Sequence, residues 1–150
     1  MKKGTAFILT IMVSLWLLVV TAFAGQSVQC KLIWDEQSVT AGSYVETDAI
    51  ALSPYAHNAS VTTLWRVRSG GILSLQPNVT EGTFTFTVYF SNYPDASVWD
   101  SGTVIATGIT SGDTDRIAID PDGVALWMKI RATETSGTGN PSLSAVLCSD

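Results

Sequence analysis

Apolar and polar residues alternate along most of the chain beyond residue 24, and that alternation sets the fold class. In Thr83-Phe84-Thr85-Phe86-Thr87-Val88-Tyr89-Phe90, the phenylalanines and Val88 fall on one side, with the threonines and Tyr89 on the other. Side chains two apart share a face only on an extended strand, so this run reads as a half-buried strand with an aromatic inner face. Residues 125–135 repeat the pattern, with Leu126, Met128, Ile130 and Ala132 on one side and Trp127, Lys129 and Arg131 on the other. Val28, Cys30, Leu32 and Trp34 form a third expected inward set, and Val61, Thr63, Trp65 and Val67 a fourth. Further strands are expected near 43–52, 71–76, 103–109, 115–120 and 142–148. No long segment keeps apolar positions at a helical period.

Turn-forming clusters separate these runs at short intervals. Ser69-Gly70-Gly71, Asn92-Tyr93-Pro94-Asp95, Asp100-Ser101-Gly102, Ser111-Gly112-Asp113 and Asp120-Pro121-Asp122-Gly123 combine residues that pre-set or tolerate turn dihedrals. Short strands punctuated in this way predict an all-β, antiparallel β-sandwich of jelly-roll or Ig-like type, with about eight strands. There is no internal repeat and no second compositional block, so residues 25–150 read as one domain.

The first 24 residues follow another rule. Lys2 and Lys3 precede an apolar run from Phe7 to Val20, and Ala22-Phe23-Ala24 supplies the small residues that a signal peptidase reads. This is the layout of a secretory signal peptide over 1–24, in preference to a retained anchor. It predicts a protein exported in the bacterial manner, secreted, periplasmic or at the cell surface, touching the membrane only transiently. Removing it also changes the charge. The whole chain carries a formal −5, whereas the 126 residues after Ala24 carry 6 basic and 13 acidic side chains, a net −7. An acidic domain lacks the basic face that a phosphate backbone requires, which excludes a typical nucleic-acid binder. In an oxidising compartment the two cysteines, Cys30 and Cys148, are expected to pair and staple the first strand to the last.

The residues that carry catalysis are sparse. His57 is the single histidine and lies in a turn-rich stretch, with no Gly-x-Ser-x-Gly elbow to supply a nucleophile. No His, Cys or carboxylate cluster has zinc-ligand spacing, and no glycine-rich loop leads into a helix. The expectation is a non-enzyme without a cofactor. Asp113, Asp115, Asp120 and Asp122 form a weak calcium candidate, but an intervening strand would hold the two pairs about 17 Å apart. They read better as turn formers. Tyr93, Trp99 and Trp127 are the candidate glycan- or partner-binding residues. Trp99 and Tyr93 lie in or beside turns, and Trp127 lies opposite the apolar set of its strand. Core packing is the competing role for both tryptophans.

The second half, with Phe84-Thr-Phe-Thr-Val-Tyr-Phe-Ser91, Trp99-Asp-Ser-Gly-Thr103 and Leu126-Trp-Met-Lys-Ile-Arg-Ala-Thr-Glu-Thr135, resembles small β-sandwich modules of phage virion and bacterial surface proteins. The resemblance covers residues 83–148 and implies a non-catalytic structural or adhesive role, with no ligand residue to carry over. Surface assembly, by self-association or with protein partners, is the first functional expectation. Carbohydrate binding through exposed aromatics is the second.

Overall fold

The computed structural model describes residues 29–52, 73–93, 95–120 and 125–149. Every regular element among them is a strand: β1 (Gln29–Ser38), β2 (Tyr44–Glu46), β3 (Ile50–Ala51), β4 (Leu73–Glu81), β5 (Thr83–Ser91), β6 (Thr103–Thr110), β7 (Ile117–Ile119), β8 (Trp127–Glu134) and β9 (Ser142–Ser149). The targeting segment, His57, the set from Val61 to Val67, and Asp122 lie outside the described residues.

The strands form two antiparallel sheets, ordered β1-β9-β4-β7 and β2-β8-β5-β6, with β3 also on the β8 edge. With β2 and β3 counted as one interrupted strand, the chain changes sheet at every step except the β5–β6 hairpin. Eight strands connected in that order make a jelly roll, which decides between the two sandwich types that the sequence allows.

The core follows from the alternation. Phe84, Phe86 and Val88 of β5 meet Met128, Ile130 and Ala132 of β8 on the inner face of one sheet. Leu73, Leu75 and Val79 of β4 join Leu143, Ala145 and Leu147 of β9 on the other. Each of these twelve side chains is at most 2% exposed, so burial supplies the main driving force for closing the two layers. β4 runs on to Glu81 through Pro77, past its last β7 partner at Leu75. There no described strand pairs with its outer edge, and a residue without an N–H is tolerated.

β1 corrects the sequence reading. Of the expected inward set Trp34 is buried, while Cys30 and Leu32 are exposed, Leu32 at 49%. The cause is a register shift between Leu32 and Trp34. Leu32 is level with Val146 and Trp34 with Ala145, so one extra residue reverses which side chains face the core. Cys30 and Cys148 are cross-strand partners with Cα atoms 4.1 Å apart, and they form the expected disulfide. Expected strands over 43–52 and 71–76 also shift, to β2 with β3 and to the longer β4.

Candidate binding face and open edge

The outer face of the β2-β8-β5-β6 sheet gathers most of the chemistry among the described residues. Alternation sends Lys129, Arg131 and Thr133 of β8 outward, and register places Tyr89 beside Lys129, Glu46 and Thr87 beside Arg131, and Tyr44 beside Thr133. The Arg131 guanidinium lies 4.2 Å from the Tyr44 ring centre and 4.9 Å from that of Tyr89. The Lys129 ammonium is 5.0 Å from both Tyr89 and Trp99. Cations at these distances over aromatic faces are attracted by the ring quadrupole. Together the side chains form a stripe that alternates ring and cation from Tyr44 to Trp99.

Glu46 ties the stripe together. Its carboxylate accepts hydrogen bonds from Arg131 Nε at 2.5 Å and from Lys129 Nζ at 3.2 Å, and pairs again with Arg131 Nη2. Partial burial works against the charged carboxylate, but those hydrogen bonds and the two cationic charges outweigh it and hold Glu46 below the ordinary glutamate range. Two cations against one carboxylate leave the Glu46, Lys129 and Arg131 cluster with a net positive charge at the middle of the stripe.

A pinned connection frames the far end. Asp100 Oδ1 accepts from the N–H groups of Phe90, at 3.1 Å, and Gly102, at 3.0 Å, while Asp100 N–H donates to the Phe90 carbonyl at 3.1 Å. These bonds hold the described residues 95–102 across the outer face. Ala96 and Trp99 then cover Trp127 against Ala51. Gly102 has φ +76°, and a Cβ there would lie 2.5–2.9 Å from ring atoms of Tyr89, so glycine lets that ring seat against the turn.

This burial separates the three aromatics expected to bind. Trp127 is 5% exposed and offers no stacking face, Trp99 is half-buried beside Lys129, and Tyr93 is 53% exposed. Trp127 does lie opposite the inward set of its strand, as expected, but the connection above it takes the place of solvent. Tyr44 and Tyr89 count among the chain's numerous aromatics, but neither they nor Glu46, Lys129 and Arg131 were chosen as site residues from the sequence. Their signal was the outward parity of Tyr89, Lys129 and Arg131. Parity does not tell which strands become neighbours.

Among the described aspartates of this group, Asp113 makes turn contacts. Asp113 accepts from Thr110 N–H at 2.7 Å and Thr110 Oγ1 at 3.0 Å, and these bonds lower its pKa. Among the described residues no three His, Cys, Asp or Glu side chains converge on a metal position. Asp115 and Asp120 are exposed on either side of β7. A carboxylate of another kind closes the opposite end of the sandwich. Buried Glu134 accepts from Ser136 Oγ, Gly42 N–H at 2.7 Å, Gly137 N–H at 3.0 Å and Ser136 N–H at 2.6 Å, which pull its pKa down to about 2.

The sheet beside the stripe ends in β6. Its eight residues pair with β5 on one side and with no other described strand. They include no charged residue and no proline, and Val104 is 56% exposed.

No protein-family model matches the chain, and no curated protein matches it. Among solved structures, it is similar to the infectious bursal disease virus Gx strain, with a TM-score of 0.46 and 11% identity over 82% of this chain. The Gt strain of that virus gives 0.44 and 10% over 82%, and a mutant VP2 protein of the virus in derived T=1 particles gives 0.43 and 11% over 82%. The matches cover 31–32% of the viral chains, so this chain spans about a third of their length. The jelly-roll assignment rests on the strand order itself.

Proposed function

We propose that this chain is an exported, non-catalytic β-sandwich that acts by assembly or adhesion at the cell surface or outside the cell, through self-association or protein partners. The observation that carries the reading is β6. An edge strand offers a row of backbone donors and acceptors to another chain, and proteins usually blunt such edges with charge, proline, brevity or bulges. β6 is long, uncharged and partly apolar. Two register shifts against β5 are its one defence, and they shorten the regular stretch that another chain can pair with. A contact of that size is weak and depends on concentration. The Lys-led apolar leader and the Cys30–Cys148 pair support export.

Carbohydrate binding is the second reading. It keeps exposed Tyr93 and half-buried Trp99 but loses Trp127, which is buried. Light scattering after size-exclusion of the chain from Gly25 onward, over a hundredfold range of concentration, tests the first reading. The expected result is an oligomer that grows with concentration and is abolished by Val104→Lys. A monomer at every concentration, with β6 amides protected from hydrogen exchange, would overturn self-association through this edge.

A further inference from the structure

We propose that the outer face of the β2-β8-β5-β6 sheet, along the stripe from Tyr44 to Trp99, is a binding site for a carboxylate-bearing saccharide. This goes beyond the assembly reading and uses a surface distinct from the β6 edge. Three observations converge on it. The first is charge. The basic side chains among the described residues are Lys31, Arg116, Lys129 and Arg131, so half of them stand side by side here on an otherwise acidic domain. Glu46 balances one of the two charges. Both Arg131 bonds to Glu46 go to Oε1, through Nε and Nη2, so the pair uses one side of the guanidinium fork. A ligand carboxylate has donors to meet on the other side.

The second observation is the aromatic surface. Arg131 covers one face of Tyr44, yet the residue remains 53% exposed, so much of the ring stays open to solvent. An open tyrosine ring beside a guanidinium suits the apolar C–H face of a sugar ring whose carboxylate reaches the cation. Tyr89 is instead held between the Gly102 turn and the two cations, which fixes where both charges stand. The third observation is the polar surround. Thr85 and Thr133 are level with each other, and Thr87 is level with Arg131, all three on the outward parity of their strands. Their hydroxyls and the Glu46 carboxylate are donors and acceptors of the kind sugar hydroxyls use. From Thr133 to Lys129 the face extends about 13 Å along β8, room for more than one sugar residue.

Neutral sugars fit less well, because they can stack on the open part of the Tyr44 ring but have no carboxylate to meet the Arg131 donors. Calorimetric titration of the chain from Gly25 onward tests the site with four saccharides. Tetragalacturonate is compared with its methyl ester, and sialyllactose with lactose. A poly-glutamate peptide controls for bare charge.

The expected result is binding of at least one acidic saccharide, weakening as salt is raised, with its neutral twin at least about tenfold weaker. Arg131→Gln and Tyr44→Ala should each cost about tenfold in affinity, while Val104→Lys leaves binding unchanged. Tyr44 is exposed enough that its alanine variant keeps the fold, which a thermal melt verifies. No binding of either acidic saccharide at millimolar concentration overturns the proposal. So does equal binding of the neutral twins or of poly-glutamate, and so does binding that survives both variants. Loss of self-association in Val104→Lys is read separately, so the assembly reading and this one stand or fall apart.

Discussion

The edges β1 and β6 belong to different sheets and solve the problem of an unpaired strand in opposite ways. β1 carries Lys31, Asp35 and Glu36, two register shifts against β9, and a left-handed residue at Glu36 with φ 44°. It is tied at its start by the Cys30–Cys148 bond. Just past its end, the Thr40–Ser43 turn is held by the Glu134 carboxylate through Gly42. β6 shares the two register shifts, against β5, but has no charge and no covalent tie. Its support lies on the side that faces the protein, where Asp100 and Gly102 fix the entering turn against Phe90 and Tyr89. An edge that is charged, bulged and clamped at both ends is built to stay single. An edge anchored from one side, with no described strand on the other, leaves its outer backbone groups without a described strand partner.

Four measurements sharpen that contrast. The largest effect is expected at β1. Replacing both Cys30 and Cys148 by Ser should cost roughly 4–5 kcal/mol in the chain-entropy account, because the loop spans more than 100 residues. Denaturant melts of the two forms give the value, and a loss under 1 kcal/mol would show that β1 is held by pairing alone. On the β6 side, Gly102→Ala places a methyl group against the Tyr89 ring at a left-handed backbone position, with an expected cost of about 1–3 kcal/mol. Retention of full stability would mean that the turn entering β6 is not anchored by that contact.

Acid should act next, and on the β1 side. Glu134 has a folded pKa near 2 against an ordinary value of 4.5, so its contribution is complete above about pH 4.5 and is lost as the pH falls toward 2. Glu46 and Asp113 are shifted in the same direction. Melting temperatures at pH 6, 4 and 2.5 should therefore fall steadily. Glu134→Gln should start lower and flatten that decline; an unchanged pH profile in the variant would assign the acid loss to other groups. The smallest effect on stability belongs to Val104→Lys, within about 0.5 kcal/mol, because Val104 is largely in solvent. Its effect should be on oligomeric state, and a large drop in melting temperature would show that Val104 supports the sheet.

The fold was legible because period-two alternation is a local signal. Phe84, Phe86 and Val88, and Met128, Ile130 and Ala132, announce their buried faces without knowledge of any partner strand. The disulfide was legible from the cysteine count and the expectation of an oxidising compartment. Two kinds of information were not. A bulge leaves no trace in a simple alternation, so the extra residue in β1 turned Leu32 outward against expectation. Neighbourhood across a sheet is also silent in one strand. Tyr44, Tyr89 and Arg131 come together because β8 lies between β2 and β5, an order that the chain sequence does not spell out. Trp127 failed for a related reason, since its exposure was decided by a connection from another part of the chain. Glu134 carried a faint local cue, an acidic residue at an inward position followed by Ser136 and Gly137.

The placement of β9 has a consequence for the order of events in time. β9 is the last strand described, yet it occupies an interior position, paired with β1 on one side and β4 on the other. During synthesis β1 emerges first and waits for a partner 118 residues away, the separation of the two cysteines. The β1-β9-β4 ribbon therefore assembles only after every other described strand has been made, and non-local pairing of this kind slows folding. The Cys30–Cys148 bond then serves as a chemical timestamp, since it seals only when the last strand has slotted between its neighbours.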